Sequence, residues 1–313
     1  MKKLATSDLL RDYIELAGKR LDRSTIDLAS LAVRRFVDFA GDVDVHEITL
    51  DDAELFHSYV VEDGCEKTTA NNYIRTIACV FRWGIEHGRT ANNPFSSVKR
   101  FKISEKAVRV YTVDELRRLL DAARGDEVML AYIWQGLNTL RKSEIMNLTI
   151  YDIDFEANTI KIQPKYRTKE TWPWEPKNRK VRIVPMADVV AKMLINRINA
   201  LPAGQPYVNL GPQRYGYLRS NMDSLTERQR KKPFQNFDRN FRRLRKRAYV
   251  EGDFHQLRKT GLTMLLEQGE RIHVVQAFAG HSSIKTTQKY IGLKDSYLSG
   301  ALVTLNRVVS SVG

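Results

Sequence analysis

His255 and Arg258 stand three residues apart in Phe254-His255-Gln-Leu-Arg258-Lys-Thr, a spacing that turns both side chains the same way at the start of a helix. A second histidine follows in Gly280-His281, and Tyr290 comes nine residues later. An arginine fork binds anions, an imidazole exchanges protons near neutrality, and a phenol offers an oxygen nucleophile. Each residue alone has an ordinary explanation: a His-x-x-Arg arises by chance, a helical tyrosine packs its ring and wets its hydroxyl, and His281 sits in a cap region after Gly280. Their combination is the informative signal.

Such side chains need elements to hold them. Thr112-Val-Asp-Glu115 has capping-box spacing and predicts a helix to about Ala123, and a further helix is expected over 127–148. Residues 151–162 (YDIDFEANTIKI) alternate apolar and polar on both sides of Ala157-Asn158, and 179–184 alternate again, which predicts a small antiparallel sheet. The stretches 165–175 and 202–233 are irregular, rich in Pro, Gly and charge, and read as loops or insertions. Upstream, Ser and Thr starts punctuate four helices over 7–17, 24–40, 49–61 and 68–87, the last closed by Gly88. The expected plan is a helical domain over 1–95, a linker over 96–108 after Pro94, and a second domain over 109–313 with a tail at 291–313. The fold class is mainly α with a small antiparallel β-sheet.

The chain has 313 residues, 42% hydrophobic and 28% charged, and no apolar run approaches the roughly 18 residues of a membrane span. Cys65 and Cys79 are too few for a disulfide framework or a four-thiolate zinc site, and the first residues lack a secretory apolar core. A cytoplasmic protein without metal or cofactor is expected. The net charge of +14 favours a polyanionic partner. Residues 1–105 hold 15 basic and 17 acidic side chains of the chain's 51 and 37, so the surplus lies wholly in the second part.

Two helical faces could meet that polyanion. Around residues 68–87, Tyr73, Ile77, Val80, Phe81 and Gly84 share one side, and Lys67, Asn71, Arg75 and Arg82 the other, with no acid from 67 to 85. Asn and Arg pair with adenine and guanine edges in a major groove. In 237–248, Phe237, Phe241, Leu244 and Ala248 form a buried stripe opposite Arg239, Arg242, Arg243 and Lys246. The stretch 239–247 has six bases and no acid, a self-repulsion that a phosphate backbone relieves.

The second domain resembles the tyrosine recombinase family, the phage-integrase group. The family's first box is similar to Leu137-Asn-Thr-Leu-Arg141-Lys-Ser-Glu144-Ile-Met-Asn-Leu148 followed by Tyr151-Asp-Ile-Asp154, its hairpin box to Lys177-Asn-Arg-Lys180-Val-Arg-Ile-Val-Pro185, and its last boxes to the His255, His281 and Tyr290 segments. Leu140, Ala279 and Lys259 depart from the residues common in the family at those places, without removing a catalytic side chain. The resemblance implies a helical core-binding domain and a mixed α/β catalytic domain that clamp duplex DNA recombination sites. By it, Tyr290 attacks the scissile phosphate to form a 3′-phosphotyrosyl enzyme, Arg141 and Arg258 hold the phosphorane oxygens, and Lys177, with Lys180 as the fallback, protonates the leaving oxygen. His255 trades protons with Tyr290, His281 hydrogen-bonds the phosphate, and Glu144 orients an arginine or histidine.

A site-specific recombinase of prokaryotic, archaeal or phage origin, acting in integration, excision or resolution, is thereby implied. A type IB topoisomerase and a non-catalytic DNA-binding protein are the alternatives. The apolar seam Leu298, Leu302, Leu305 and Val309 suggests, by the same resemblance, docking on a neighbouring protomer in a tetrameric synapse.

Overall fold

The computed structural model describes residues 3–104 and 108–290, within two compact units spanning 1–106 and 107–313. The seam at 298–309 lies outside the described residues.

Unit 1 is built from α1 (Thr6–Ala17), α2 (Arg23–Ala40), α3 (Leu50–Glu62) and α4 (Lys67–Glu86). A reciprocal box starts α3: Thr49 Oγ1 accepts from Asp52 N at 3.2 Å, and Asp52 Oδ2 accepts from Thr49 N at 2.9 Å. The apolar stripe of α4 is buried against the other three helices, while Lys67, Arg75 and Arg82 are exposed. Asn71 departs from its expected role in a DNA groove. Its Nδ2 donates to Phe101 O and its Oδ1 accepts from Phe101 N, each at 3.0 Å, and Oδ1 also pairs with His57 Nε2 at 2.9 Å. Both ends of the amide are therefore committed. Phe95 and Val98 enter the core and Phe101 stacks on the buried His57 at 4.0 Å, so the first half of the expected linker packs on unit 1.

Unit 2 opens with α5 (Val113–Ala122), capped by Thr112 and Glu115, and α6 (Glu127–Leu137). The helix expected over 127–148 is two. Thr139 takes φ 68°, the chain turns, and Arg141 becomes the N-cap of α7 (Lys142–Met146). The sheet order is β1 (Ile153–Asp154), β2 (Thr159–Ile162) and β3 (Arg182–Pro185), all antiparallel, with Ile162 opposite Arg182. Ile160, Ile162 and Val184 face the core.

The 163–181 crossing is firmly held. Lys165 and Trp174 exchange backbone hydrogen bonds at 2.8 and 3.1 Å, and buried Lys165 pairs with Asp152 at 2.8 Å. Trp172 stacks on Tyr207 at 3.8 Å and donates its indole N–H to Asn147 at 3.0 Å. Only the single 3-10 turn Lys177–Arg179 separates this packed segment from the approach to β3.

α8 (Asp188–Asn199), α9 (Pro212–Ser220), α10 (Glu227–Lys231), α11 (Phe237–Ala248), α12 (His255–Glu267), α13 (Ile272–Ala279) and α14 (Ile284–Gln288) complete the described fold. The expected stripe of α11 is buried, and Arg239, Arg242, Arg243 and Lys246 are exposed. Phe237 and Phe241 meet Phe254 edge-on at 4.8 and 5.2 Å, which fixes the residue preceding His255. At Gly261 an added Cβ would lie 2.0 Å from Leu137 O, so only glycine lets α12 cross the end of α6 this closely.

Candidate active site

The break after α6 and the close crossing of α12 together create the site. Arg258, one turn into α12, is 2% exposed and points into the break, where Nη1 donates to Thr139 O and Nη2 to Ala279 O at the end of α13. The left-handed turn at Thr139 thus supplies a carbonyl that an unbroken helix would have kept for itself. Burial first, and the charge of Arg141 next, lower the Arg258 pKa to about 9, still cationic at neutral pH.

Arg141 sits across the same space. Its backbone N donates to Glu144 Oε2 at 2.7 Å, its Nη1 to Glu144 Oε1 at 2.9 Å and its Nη2 to Gly280 O at 3.3 Å. Glu144 is 1% exposed. Burial pushes its pKa up, but hydrogen bonds and charge from Arg182, with Arg141 behind, outweigh this and bring it down to about 2. The carboxylate is ionised throughout the physiological range.

Gly280 ends α13 with φ 62° and releases His281 toward the two arginines. His281 Nδ1 lies 2.9 Å from Thr287 Oγ1 and Nε2 lies 3.5 Å from Arg258 Nη2. Burial and then the charges of Arg258, Arg141 and Arg182 lower its pKa to about 4, so the ring is neutral at pH 7. The Thr287 hydroxyl can donate or accept and so tolerates either tautomer. Tyr290 stacks on His281 with centroids 6.0 Å apart and planes 10° apart, its flank against the Leu262, Leu266, Val275 and Ala279 cluster. Burial raises its pKa, and Arg258 and Arg141 oppose that rise. The phenol is protonated at neutral pH, so it could act as an oxygen nucleophile only with a base.

His255 is the first residue of α12 and exposed. Partial desolvation, then Arg258 and Lys259, hold its pKa below the ordinary value. Lys177 and Lys180, both exposed on the turn before β3, line a cavity of about 300 Å³ with Arg141, Arg182 and His281. Among the described residues no acidic side chain lines it. The structure therefore brings Arg141, Glu144, Arg258, His281 and Tyr290 together and puts Lys177 on the cavity wall. The basic residues of α4 and α11 are not among its lining. No group of three or more His, Cys, Asp or Glu among the described residues could hold a metal, and no described helix could cross a membrane.

Arg182 is a site residue that the sequence reading passed over. Its side chain is 10% exposed and pairs with Glu144 at 2.7 Å. The available signal was its place two residues after Lys180 on the alternating strand, facing inward with Val184.

Comparison with known proteins places the chain in a family. The sequence model of the phage integrase family matches residues 109–296, so the chain belongs to that family, the tyrosine recombinases. It is 26% identical over 300 residues to tyrosine recombinase XerA of Thermococcus kodakarensis, covering 92% of this chain and 91% of that one. It is 22% identical over 313 residues to tyrosine recombinase XerD of Listeria monocytogenes, covering 93% and 97%. Among solved structures, the Tn1549 transposon integrase in complex with transposon right end DNA superposes with a TM-score of 0.75 at 22% identity, covering 98% of this chain and 100% of that one. A lambda integrase tetramer bound to a Holliday junction superposes with a TM-score of 0.65 at 17% identity, covering 90% and 78%.

Proposed function

We propose that this tyrosine recombinase cleaves and rejoins duplex DNA at specific sites through a 3′-phosphotyrosyl intermediate. The reading is carried by one observation: two arginines, a neutral histidine and a tyrosine converge beside a cavity lined by bases and by no acid among the described residues.

In the cleavage step a bond forms between Tyr290 Oη and phosphorus, and the bond from phosphorus to the 5′-oxygen breaks. His255 accepts the phenol proton, and Lys177 from the adjacent turn gives a proton to the departing 5′-oxygen. Arg141 and Arg258 hold the equatorial oxygens, and His281 donates its Nε2–H once Nδ1 accepts from Thr287. The phosphotyrosine conserves the phosphodiester energy, so a 5′-hydroxyl of the same or another strand can reverse the step without a nucleotide cofactor. Lys67, Arg75, Arg82 and the basic face of α11 contact the DNA backbone and grooves, and the chain assembles on its sites as a homo-oligomer, with a tetrameric synapse as the exchange-competent form.

The test uses a nicked suicide duplex containing the segment that the Tyr290→Phe chain protects in footprinting of its host element. The wild-type chain should accumulate a 3′-linked covalent adduct that Tyr290→Phe does not form. Tight binding without adduct would favour a non-catalytic DNA-binding protein, and supercoil relaxation without site preference would favour a topoisomerase.

A further inference from the structure

The mechanism leaves Arg182 without a task, although both of its Nη atoms are committed to the Glu144 carboxylate. Its Nη1 lies 2.8 Å from Glu144 Oε1 and its Nη2 2.7 Å from Oε2. Arg141 approaches the same two oxygens, by Nη1 at 2.9 Å and by its backbone N at 2.7 Å. Each carboxylate oxygen thus accepts one N–H from each arginine. Were Arg182 removed, the vacated lone pairs would draw the whole Arg141 fork into a bidentate pair, the geometry that guanidinium and carboxylate prefer.

We propose that Arg182 is a positioning residue for phosphoryl transfer: by holding Glu144 through both oxygens it leaves Arg141 a single-pronged side-chain hold on that carboxylate and keeps the Arg141 fork available to the scissile phosphate. The inference rests on the recombinase reading. Arg182 is also the first residue of β3, the strand following the Lys177 turn, and a Cβ on Gly280 would fall 2.6 Å from its Cδ. It therefore ties the lysine turn, the start of α7 and the Gly280-His281 turn to one another.

The experiment compares the full chain with Arg182→Gln, Arg182→Lys, Glu144→Gln and the Arg182→Gln/Glu144→Gln double variant. Single-turnover cleavage and DNA affinity are read on the nicked duplex above, and the Glu144 carboxyl is titrated by carbon-13 NMR. Arg182→Gln should raise the Glu144 midpoint and slow cleavage about 100-fold with affinity changed less than about threefold. Arg182→Lys should not restore the rate, because an ammonium cannot span both oxygens. In the Glu144→Gln background, Arg182→Gln should cost less than about threefold more, since no carboxylate remains to be shared. Equal losses in both backgrounds would overturn the proposal and make Arg182 a direct DNA contact. An unshifted midpoint with normal cleavage would overturn this inference alone. A wild-type chain that forms no adduct would overturn the recombinase reading, and with it the purpose assigned to Arg182, even with the midpoint shifted.

Discussion

The arginines of unit 2 occur in two opposite conditions. Arg141, Arg182 and Arg258 are largely buried, each tied to carbonyls or to one shared carboxylate. Arg239, Arg242 and Arg243 stand exposed along α11. The first group has its entropy and desolvation cost met by folding and is aimed before any ligand arrives, the condition for selective transition-state stabilisation. The second group keeps its side-chain freedom and its repulsion until counterions or phosphates neutralise it. One residue type is thus fixed in place in one region and left free in the other, and under the proposed function substitutions should separate the two in rate and in affinity.

The largest difference is expected at the buried arginines. Arg141→Lys or Arg258→Lys should lower single-turnover cleavage about 100- to 1,000-fold while DNA affinity changes only severalfold, as measured by quench kinetics and filter binding. A parallel fall in affinity would erase the distinction. Next comes the α11 face: replacing Arg239, Arg242, Arg243 and Lys246 together by Ala should weaken binding and reduce the slope of log affinity against log salt by about 3 to 4. Cleavage at saturating DNA should be kept, and an unchanged salt slope would remove α11 from the interface.

The buried group should also leave a pH signature that α11 lacks. His281 has a folded pKa of about 4 against an ordinary 6.5, so stability is lost as pH falls from 6.5 toward 4 because only the unfolded ring takes up a proton freely. Glu144, lowered from 4.5 to about 2, adds stability above pH 4.5 that is lost as pH falls through 2. Calorimetric Tm should therefore drop between pH 6.5 and 4, and His281→Asn should flatten that drop. The smallest effect is local to the end of α11, where Tyr249 caps the helix at φ 52° and is 87% exposed. Tyr249→Gly should stabilise the fold by about 1 kcal/mol in denaturant titrations, by relieving a left-handed backbone at a side chain that packs on little.

The sequence made the periodic parts legible. The stripes of α4 and α11, the Thr112 cap and the β2 alternation are local patterns whose burial follows directly from spacing. The break at Thr139 was not legible, because apolar residues continue through Leu140, Ile145 and Leu148 and the left-handed turn is imposed by tertiary packing. Asn71 looked like a groove reader because its chemistry suits one, whereas the returning chain at Phe101 claims the amide. For the site, residue types pointed to side chains that the structure brings together, but the sharing of Glu144 between two arginines depends on a contact spanning 38 residues that no spacing encodes.

The central claim is tested most directly by locating the attached nucleotide. A covalent complex trapped on the nicked duplex is digested with trypsin, which cuts after Lys289 and Lys294, and the modified peptide is sequenced by mass spectrometry. The account predicts a 3′-phosphoryl link to the Tyr290 oxygen in the peptide 290–294. A nucleotide on any other residue would contradict it.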